Sequence, residues 1–435
     1  MNLTTGSIRS AYFKYLGAAF GSSLISSIYG VVDMAMVGQY HGPEGAAAMA
    51  VIAPIWNIIY SFGLLTGIGG SVLYSTEKGT GRDGNGYFSL ALWETLGLAL
   101  LCWAGLILFE EPLLGLFGAN GTLLPLAKRY LTWVKFVIPS FLLSQMLSAF
   151  LRNDGDPGRA TKAVLFGGIF NVFGDYFFVF VLDMGIEGAG LATAMGSVLS
   201  VLVMCTHFLS KKNTLRLTRV PALRQKSLKI LVTGFSTFFI DVAMGILTML
   251  FNRQIMRYLG ADALAVYGVI VNISTFVQCC AYSVGQAAQP ILSVNFGAHL
   301  WDRIRETLKY ALYTALVFGL IWTVVIFAVP NGFIRIFMTP TDSVLAMAPK
   351  ILRLYGLSFL LLPLNVVSTY YFQAIMRPGT SFVVSVGRGV VVSGTLILVL
   401  PLLFGADALW LAMPVTELIV AVYVVLAMRR SVKPA

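Results

Sequence analysis

The strongest constraint in this sequence is a succession of twelve apolar runs, beginning near Tyr12, Gly45, Gly86, Tyr130, Thr161, Gly188, Lys229, Ala263, Glu306, Ile351, Thr380 and Asp407. About 20 helical residues, rising about 1.5 Å each, cross the ~30 Å hydrocarbon layer of a bilayer, and each run is long enough. Composition agrees: 11% of the 435 residues are charged and 57% are hydrophobic, against roughly 25% charged in a soluble domain. So few charges cannot solvate a folded surface of this size, which excludes a soluble enzyme, a disordered chain and a nucleic-acid-binding module. The 43 glycines suit membrane helices, which pack closely through small residues. The expected fold is an all-α integral membrane protein. The first run is far longer than the ~7–15-residue core of a signal peptide, so it reads as a first span.

The positions of Lys and Arg orient the spans. With the N-terminus inside, the inner loops hold Arg9, Lys14, Lys78, Arg82, Arg152, Arg159, Arg303, Arg305 and Arg377, the run from Lys211 to Lys229, and the tail Arg429, Arg430 and Lys433. The outer loops keep only a few, such as Lys128, Arg129, Arg257, Arg335 and Lys350. Both termini are therefore expected in the cytoplasm, and the net charge of +11 is a topology signal that implies no nucleic-acid partner. The four cysteines, Cys102, Cys205, Cys279 and Cys280, lie in apolar runs without disulfide or zinc spacing.

The polar stretch after the sixth run divides the chain into an N-terminal six-helix lobe (1–210), a cytoplasmic linker (211–228) and a C-terminal six-helix lobe (229–435). The halves align. Gly42 and its followers match Gly260 and its followers at an offset of 218, as do Gly79 and Gly297, while Asp156-Pro157-Gly158 matches Arg377-Pro378-Gly379 at 221. Two pseudo-symmetric bundles in parallel orientation are expected.

Ionisable residues within spans are costly and mark functional sites by default. Asp33, Asp175, Asp241, Arg388 and Glu417 qualify. Asp33 lies about 8 Å, Asp175 about 10 Å and Thr193 about 8 Å from the outer ends of spans one, five and six, at 1.5 Å per residue. Asn171, four residues before Asp175, shares its helix face. These hard oxygens suit Na⁺, and two close carboxylates equally suit a shared proton. The alternative is that both acids merely bond neighbouring helices. Arg388 has Asp241 and Glu417 as possible partners, either as a structural pair or as a charged patch on a substrate cavity. At the repeat offset Asp33 falls on Phe251, and Asn171 and Asp175 fall on Val392 and Leu396, so the cluster belongs to one half.

Val32-Asp33-Met-Ala-Met-Val-Gly38 resembles the first-helix signature of the multidrug and toxic compound extrusion (MATE) transporters. Asn171-Val-Phe-Gly-Asp175 resembles their NxxxD fifth-helix motif, and Gly188-Ala-Gly-Leu-Ala-Thr193 the opening of their sixth. Leu151-Arg152-Asn-Asp-Gly155-Asp-Pro157 and Ser293-Val-Asn295-Phe-Gly297 are similar to two of their cytoplasmic loops. The resemblance covers essentially the whole chain. It implies a Na⁺- or H⁺-coupled antiporter, without other cofactors, that exports amphipathic, cationic or aromatic small molecules from the plasma membrane by alternating access. Its cation site falls on Asp33, Asn171, Asp175 and Thr193. A substrate cavity is expected to use Tyr29, Met34, Trp56, Asp241, Met256, Tyr370, Tyr371, Arg388 and Glu417, in a monomer whose partners are substrate and lipid. The rival reading is a flippase for a lipid-linked precursor, from the same superfamily, which calls for a more cationic cavity. An enzyme is not expected, because none of His41, His207 and His299 pairs with an acid at metal-ligand spacing.

Overall fold

The computed structural model describes residues 3–117, 119, 121–337 and 340–431; Lys433 of the tail lies outside them. It is all-helical, with no strand among the described residues. Twelve helices are long and apolar enough to span a membrane: α1 (Ile8–Gly42), α2 (Ala47–Gly79), α3 (Asn85–Leu108), α4 (Leu123–Asn153), α5 (Pro157–Val181), α6 (Ile186–Leu209), α7 (Leu223–Tyr258), α8 (Asp262–Gly297), α9 (Trp301–Ala328), α10 (Asp342–Ala374), α11 (Pro378–Phe404) and α12 (Ala406–Ser431). All twelve expected spans are present. Several start earlier than their apolar runs, α4 at Leu123 and α10 at Asp342, because the helix also takes in polar residues such as Lys128, Arg129 and Lys350.

The backbone carries the repeat at its breaks. Gly42 (φ 67°) and Gly260 (φ 86°) interrupt the chain at the offset of 218 read from sequence, and Gly81 (φ 79°) and His299 (φ 56°) share that offset. Gly155 (φ 87°) pairs with Met376 (φ 58°), and Gly185 (φ 56°) with Gly405 (φ 88°), near the second offset. Left-handed backbone is uncommon outside glycine, so four pairs of such residues at matched places record the duplication more sharply than side chains do.

Two compact units form, residues 17–238 and residues 3–16 with 239–431. The first turns of α1 thus pack with the second unit. There Arg303 donates to the carbonyls of Leu3 at 2.9 Å and Gly6 at 2.8 Å, and Tyr12 stacks on Tyr310 at 6.0 Å. Tyr12, Val284, Ile291, Ala311, Tyr371 and Val424 belong to this unit's core. Conversely, the first turns of α7 pack in the first unit by backbone approach. A Cβ added at Gly69 would stand 2.1 Å from the Ile230 oxygen, and one at Gly234 would stand 1.9 Å from the Leu65 oxygen. Only glycine fits there, which is how small residues let membrane helices pack closely.

The segment before α7 is a strap on the first unit. Thr214 donates its amide to Asp154 Oδ2 at 2.8 Å, and its hydroxyl also bonds Asp154. Asn85 donates to the Thr214 carbonyl at 3.1 Å and accepts from the Arg216 amide at 2.9 Å. The Thr218 amide donates to Ser89 Oγ at 2.8 Å, and Leu215 is buried. Residues 214–218 of the expected linker are therefore tied to the first unit, and helix resumes at Leu223.

Candidate cation and substrate sites

Glycine and alanine bring the polar residues of the first unit together. Helices α5 and α6 meet where a Cβ on Gly167 would lie 2.6 Å from the Gly196 oxygen and one on Gly174 would lie 3.0 Å from Ala192 Cβ. This contact sets Asn171 and Asp175 against Thr193. Asn171 Nδ2 donates to Thr193 Oγ1 at 3.0 Å and to Asp175 Oδ1 at 3.4 Å. Thr193 in turn donates to Asp33 Oδ2 of α1 at 3.4 Å. The three residues expected at one depth, and Asn171 on the helix face of Asp175, are joined in one network.

A fifth residue completes it. Tyr130 of α4 donates its hydroxyl to Asp33 Oδ2 at 3.0 Å and approaches Thr193 Oγ1 at 3.4 Å. It is held there because α6 crosses α4 at Gly190, where a Cβ would stand 2.2 Å from the Tyr130 carbonyl oxygen. Alanine at Gly190 is expected to push these helices apart and lower stability by roughly 1–3 kcal/mol, read as a lower unfolding midpoint of the purified protein.

Asp175 is fully buried, Asp33 is 5% exposed and Asn171 is 3% exposed. Three oxygens of this cluster, Asp33 Oδ1, Asn171 Oδ1 and Asp175 Oδ2, are buried without a hydrogen-bond partner among the described residues. Unpaired buried acceptors are rare because each carries a desolvation cost, and here three belong to one hydrogen-bonded cluster, two of them on carboxylates. The backbone widens just beyond Asp175, where Leu182 bonds back five residues to Phe177. Such π-helical turns are frequent at functional sites.

The other predicted residues of the first unit lie apart from this network. Tyr29 and Tyr60 share a hydroxyl contact of 3.4 Å, and Trp56 packs on Phe141 with ring centroids 4.7 Å apart. The Trp56 Nε1 is buried without a hydrogen-bond partner among the described residues. Met34 is exposed.

In the second unit, Arg388 Nε donates to Glu417 Oε1 at 2.7 Å, and Asn365 donates to Glu417 Oε2 at 2.7 Å. Of the two acids open to Arg388 in the sequence, Glu417 is thus its hydrogen-bonded partner. Asp241 instead accepts from Tyr282 at 3.0 Å. Tyr370 and Tyr371 are both buried. Tyr370 presses its ring on Gly285, where a Cβ would stand 2.3 Å away, and Tyr371 shares a hydroxyl contact of 3.1 Å with Ser431. Met256 is exposed. Arg388 also lines a cavity of about 610 Å³, open space included, whose walls come entirely from residues 240–413.

The sequence model of the MatE family matches residues 18–177 and 236–394, one match in each half. The chain belongs to the MATE family. Among curated relatives, the multidrug export protein MepA of Staphylococcus saprophyticus is 25% identical over 403 residues, 92% of this chain and 88% of its own. MepA of Staphylococcus haemolyticus is 24% identical over 415 residues, 94% and 91% of the two chains. An outward-facing multidrug resistance MATE transporter has the same fold, with a TM-score of 0.90, 20% identity, and 99% of this chain and 97% of its own covered. A MOP superfamily transporter from Pyrococcus furiosus matches with the same score, identity and coverage. This MATE protein is a multi-pass membrane transporter.

Tyr130 escaped the sequence reading for a local reason. Lys128 and Arg129 precede it and hide the start of α4, so Tyr130 looked like a terminal residue. From Leu123 it lies seven residues, about 10 Å, into the helix, the depth already found for Asp33, Asp175 and Thr193.

Proposed function

We propose that this MATE protein is a cation-coupled multidrug antiporter. In this reading, Na⁺ or H⁺ binds among Asp33, Asn171, Asp175 and Thr193, with Tyr130 orienting Asp33, while amphipathic aromatic compounds leave in exchange. The observation that carries it is the set of three unpartnered oxygens in the buried cluster of α1, α5 and α6. A bound cation supplies the missing partner, either as a hard ion among oxygens or as a proton on one of two close carboxylates. The MepA relatives, named for multidrug export, support the drug side.

The chain's own residues account for coupling. With the cation bound, Asp33 and Asp175 tolerate dry packing of α1 on α5 and α6; without it, two buried carboxylates disfavour that packing. An ion that binds the two arrangements with different affinity shifts their populations and is thereby linked to drug release. The substrate path is assigned to Tyr29, Met34 and Trp56 in one unit and to Asp241, Met256, Tyr370, Tyr371, Arg388 and Glu417 in the other. The protein works as a monomer with both termini cytoplasmic.

Proteoliposomes loaded with ethidium test this. Export is expected only under an inward gradient of Na⁺ or of protons, and the gradient that works names the ion. Equal export with both gradients collapsed would overturn the coupling, and movement of lipid-linked sugars without dye transport would point to a flippase.

A further inference from the structure

We infer that the strap and the first turn of α7 form a docking surface for anionic phospholipid, whose headgroup phosphate is held on Arg216, Arg219 and Arg224. Seven Lys and Arg residues, and no Asp or Glu, fall between Glu187 and Asp241. Other cations of the first unit find acids: Lys78 pairs with Asp154 at 3.0 Å, and Arg159 and Lys212 pair with Asp156 at 3.0 and 3.7 Å. Arg216, Arg219 and Arg224 are exposed, and their guanidinium groups make no ion pair or hydrogen bond among the described residues.

Both segments are anchored on the first turns of α3. The Arg216 amide donates to Asn85 Oδ1 at 2.9 Å and the Thr218 amide to Ser89 Oγ at 2.8 Å. The chain then bends at Ala222 (φ 55°) into α7, where the Lys226 ammonium lies 5.2 Å from the centre of the Tyr87 ring. Backbone bonds hold the strap, so its guanidinium groups stay available to a ligand. Their depth is that of the headgroups. Ser89 is buried, while Trp93, one turn further along α3, is 64% exposed, and tryptophan gathers at the membrane–water interface. On α7, Arg224 shares a helix face with the exposed Leu228 and Val232. It therefore stands one turn, about 6 Å, beyond that apolar stripe.

The neighbouring side chains narrow the ligand. Leu217 and Leu223 are exposed beside the three arginines. A soluble anion gains nothing from them. A phospholipid brings phosphate oxygens to the guanidinium fork and acyl chain to the leucines. A zwitterionic headgroup carries its own cation, so unpaired arginines favour a headgroup of net negative charge, such as phosphatidylglycerol. Basic clusters next to a membrane helix attract anionic lipid in this way. In the orientation proposed above, the leaflet is the cytoplasmic one.

Native mass spectrometry of the full-length protein in neutral detergent, titrated with phosphatidylglycerol or with phosphatidylcholine of the same acyl chains, tests this. The first phosphatidylglycerol is expected to bind at least about fivefold more tightly than the first phosphatidylcholine, the attraction of one surface cation. Arg216→Gln, Arg219→Gln and Arg224→Gln are each expected to weaken phosphatidylglycerol by about fivefold. These side chains are exposed and unbonded, so the variants are expected to fold. Arg429→Gln combined with Arg430→Gln removes two exposed arginines from the end of α12 and is expected to leave the preference unchanged. Equal affinities for the two lipids in the wild type would overturn the inference. So would an equal loss in the Arg429 and Arg430 variant, which would show a diffuse field in place of a site. Glycerol phosphate carries the headgroup chemistry without acyl chains. Its displacing phosphatidylglycerol at equal concentration would assign the surface to a soluble phosphate and overturn the docking of lipid. No transport is measured, so either outcome leaves cation-coupled export to be judged on its own test.

Discussion

Asparagine at position 33 or 175 is expected to cut gradient-driven dye export by about 5- to 150-fold, the usual span of coupling between two linked sites. The substitution keeps side-chain size and an acceptor oxygen. At position 33 the bonds from Tyr130 and Thr193 to Oδ2 can persist, so the bundle is expected to fold. What disappears is the charge that a cation neutralises. The protein then loses the difference in ion affinity between its two arrangements, and the gradient has nothing to act on. Dye binding measured without a gradient should change little. Tyr130→Phe keeps the ring and removes one hydroxyl, so its effect should be smaller, about fivefold for a bond worth about 1 kcal/mol. Initial efflux rates from proteoliposomes read all three. Undiminished gradient-driven export in both Asp33→Asn and Asp175→Asn would sink the cation site.

The second large effect is on stability, at the cytoplasmic end of the first unit. Asp154 has a fully buried side chain. It accepts from His207 Nε2 at 2.9 Å, the Thr214 amide at 2.8 Å, Tyr74 at 2.8 Å and Lys78 at 3.0 Å, with the Thr214 hydroxyl added. One carboxylate therefore ties α2, α6 and the strap to the turn after α4. Asp154→Asn presents an amide N–H₂ to these donors and leaves the Lys78 ammonium without its counter-charge. A loss of roughly 1–3 kcal/mol is expected, the cost of leaving buried hydrogen-bonding groups unsatisfied, since the half-exposed Lys78 side chain keeps its own hydration. The dependence on pH follows in sign. Burial alone favours the neutral acid, but the bonds from His207 and Thr214 and the charge of Lys78 outweigh it and hold the Asp154 carboxyl well below the usual carboxylate range. A depressed folded-state value contributes stability that is complete above the ordinary Asp value near 3.9 and is lost as pH falls below it. The gap between wild type and Asp154→Asn should be constant around neutrality and narrow in acid below about pH 4. Thermal unfolding of the purified protein across pH measures it, and a gap that widened in acid would contradict the assignment.

Much of the molecule was legible in particular residues. Spans could be counted because lipid demands long apolar helices, and Asp33, Asn171, Asp175 and Thr193 stood out because polar groups are expensive there. Their common depth followed from the rise of a helix alone. Tyr130 did not stand out, since a tyrosine beside Lys128 and Arg129 resembles any interfacial aromatic. The strap was also hidden. A run from Lys211 to Lys229 reads as a solvated linker, and nothing local shows that Thr214 and Arg216 reach Asp154 and Asn85, which lie 60 and 131 residues away. Asp241 and Glu417 were equal partners for Arg388 in the sequence, and only packing gave Glu417 the bond.

By itself, the sequence determined what the solvent dictates: twelve helices, two related halves, and which few side chains have no business in lipid without a purpose. Each of those is set by local chemistry, by the thickness of the bilayer, the period of a helix and the cost of a buried charge. The tertiary structure decided which polar groups meet and which stay unpartnered. Among the described residues three oxygens of the Asp33 cluster have no hydrogen-bond partner, and glycine contacts such as Gly174 on Ala192 set helices at distances that no single segment encodes.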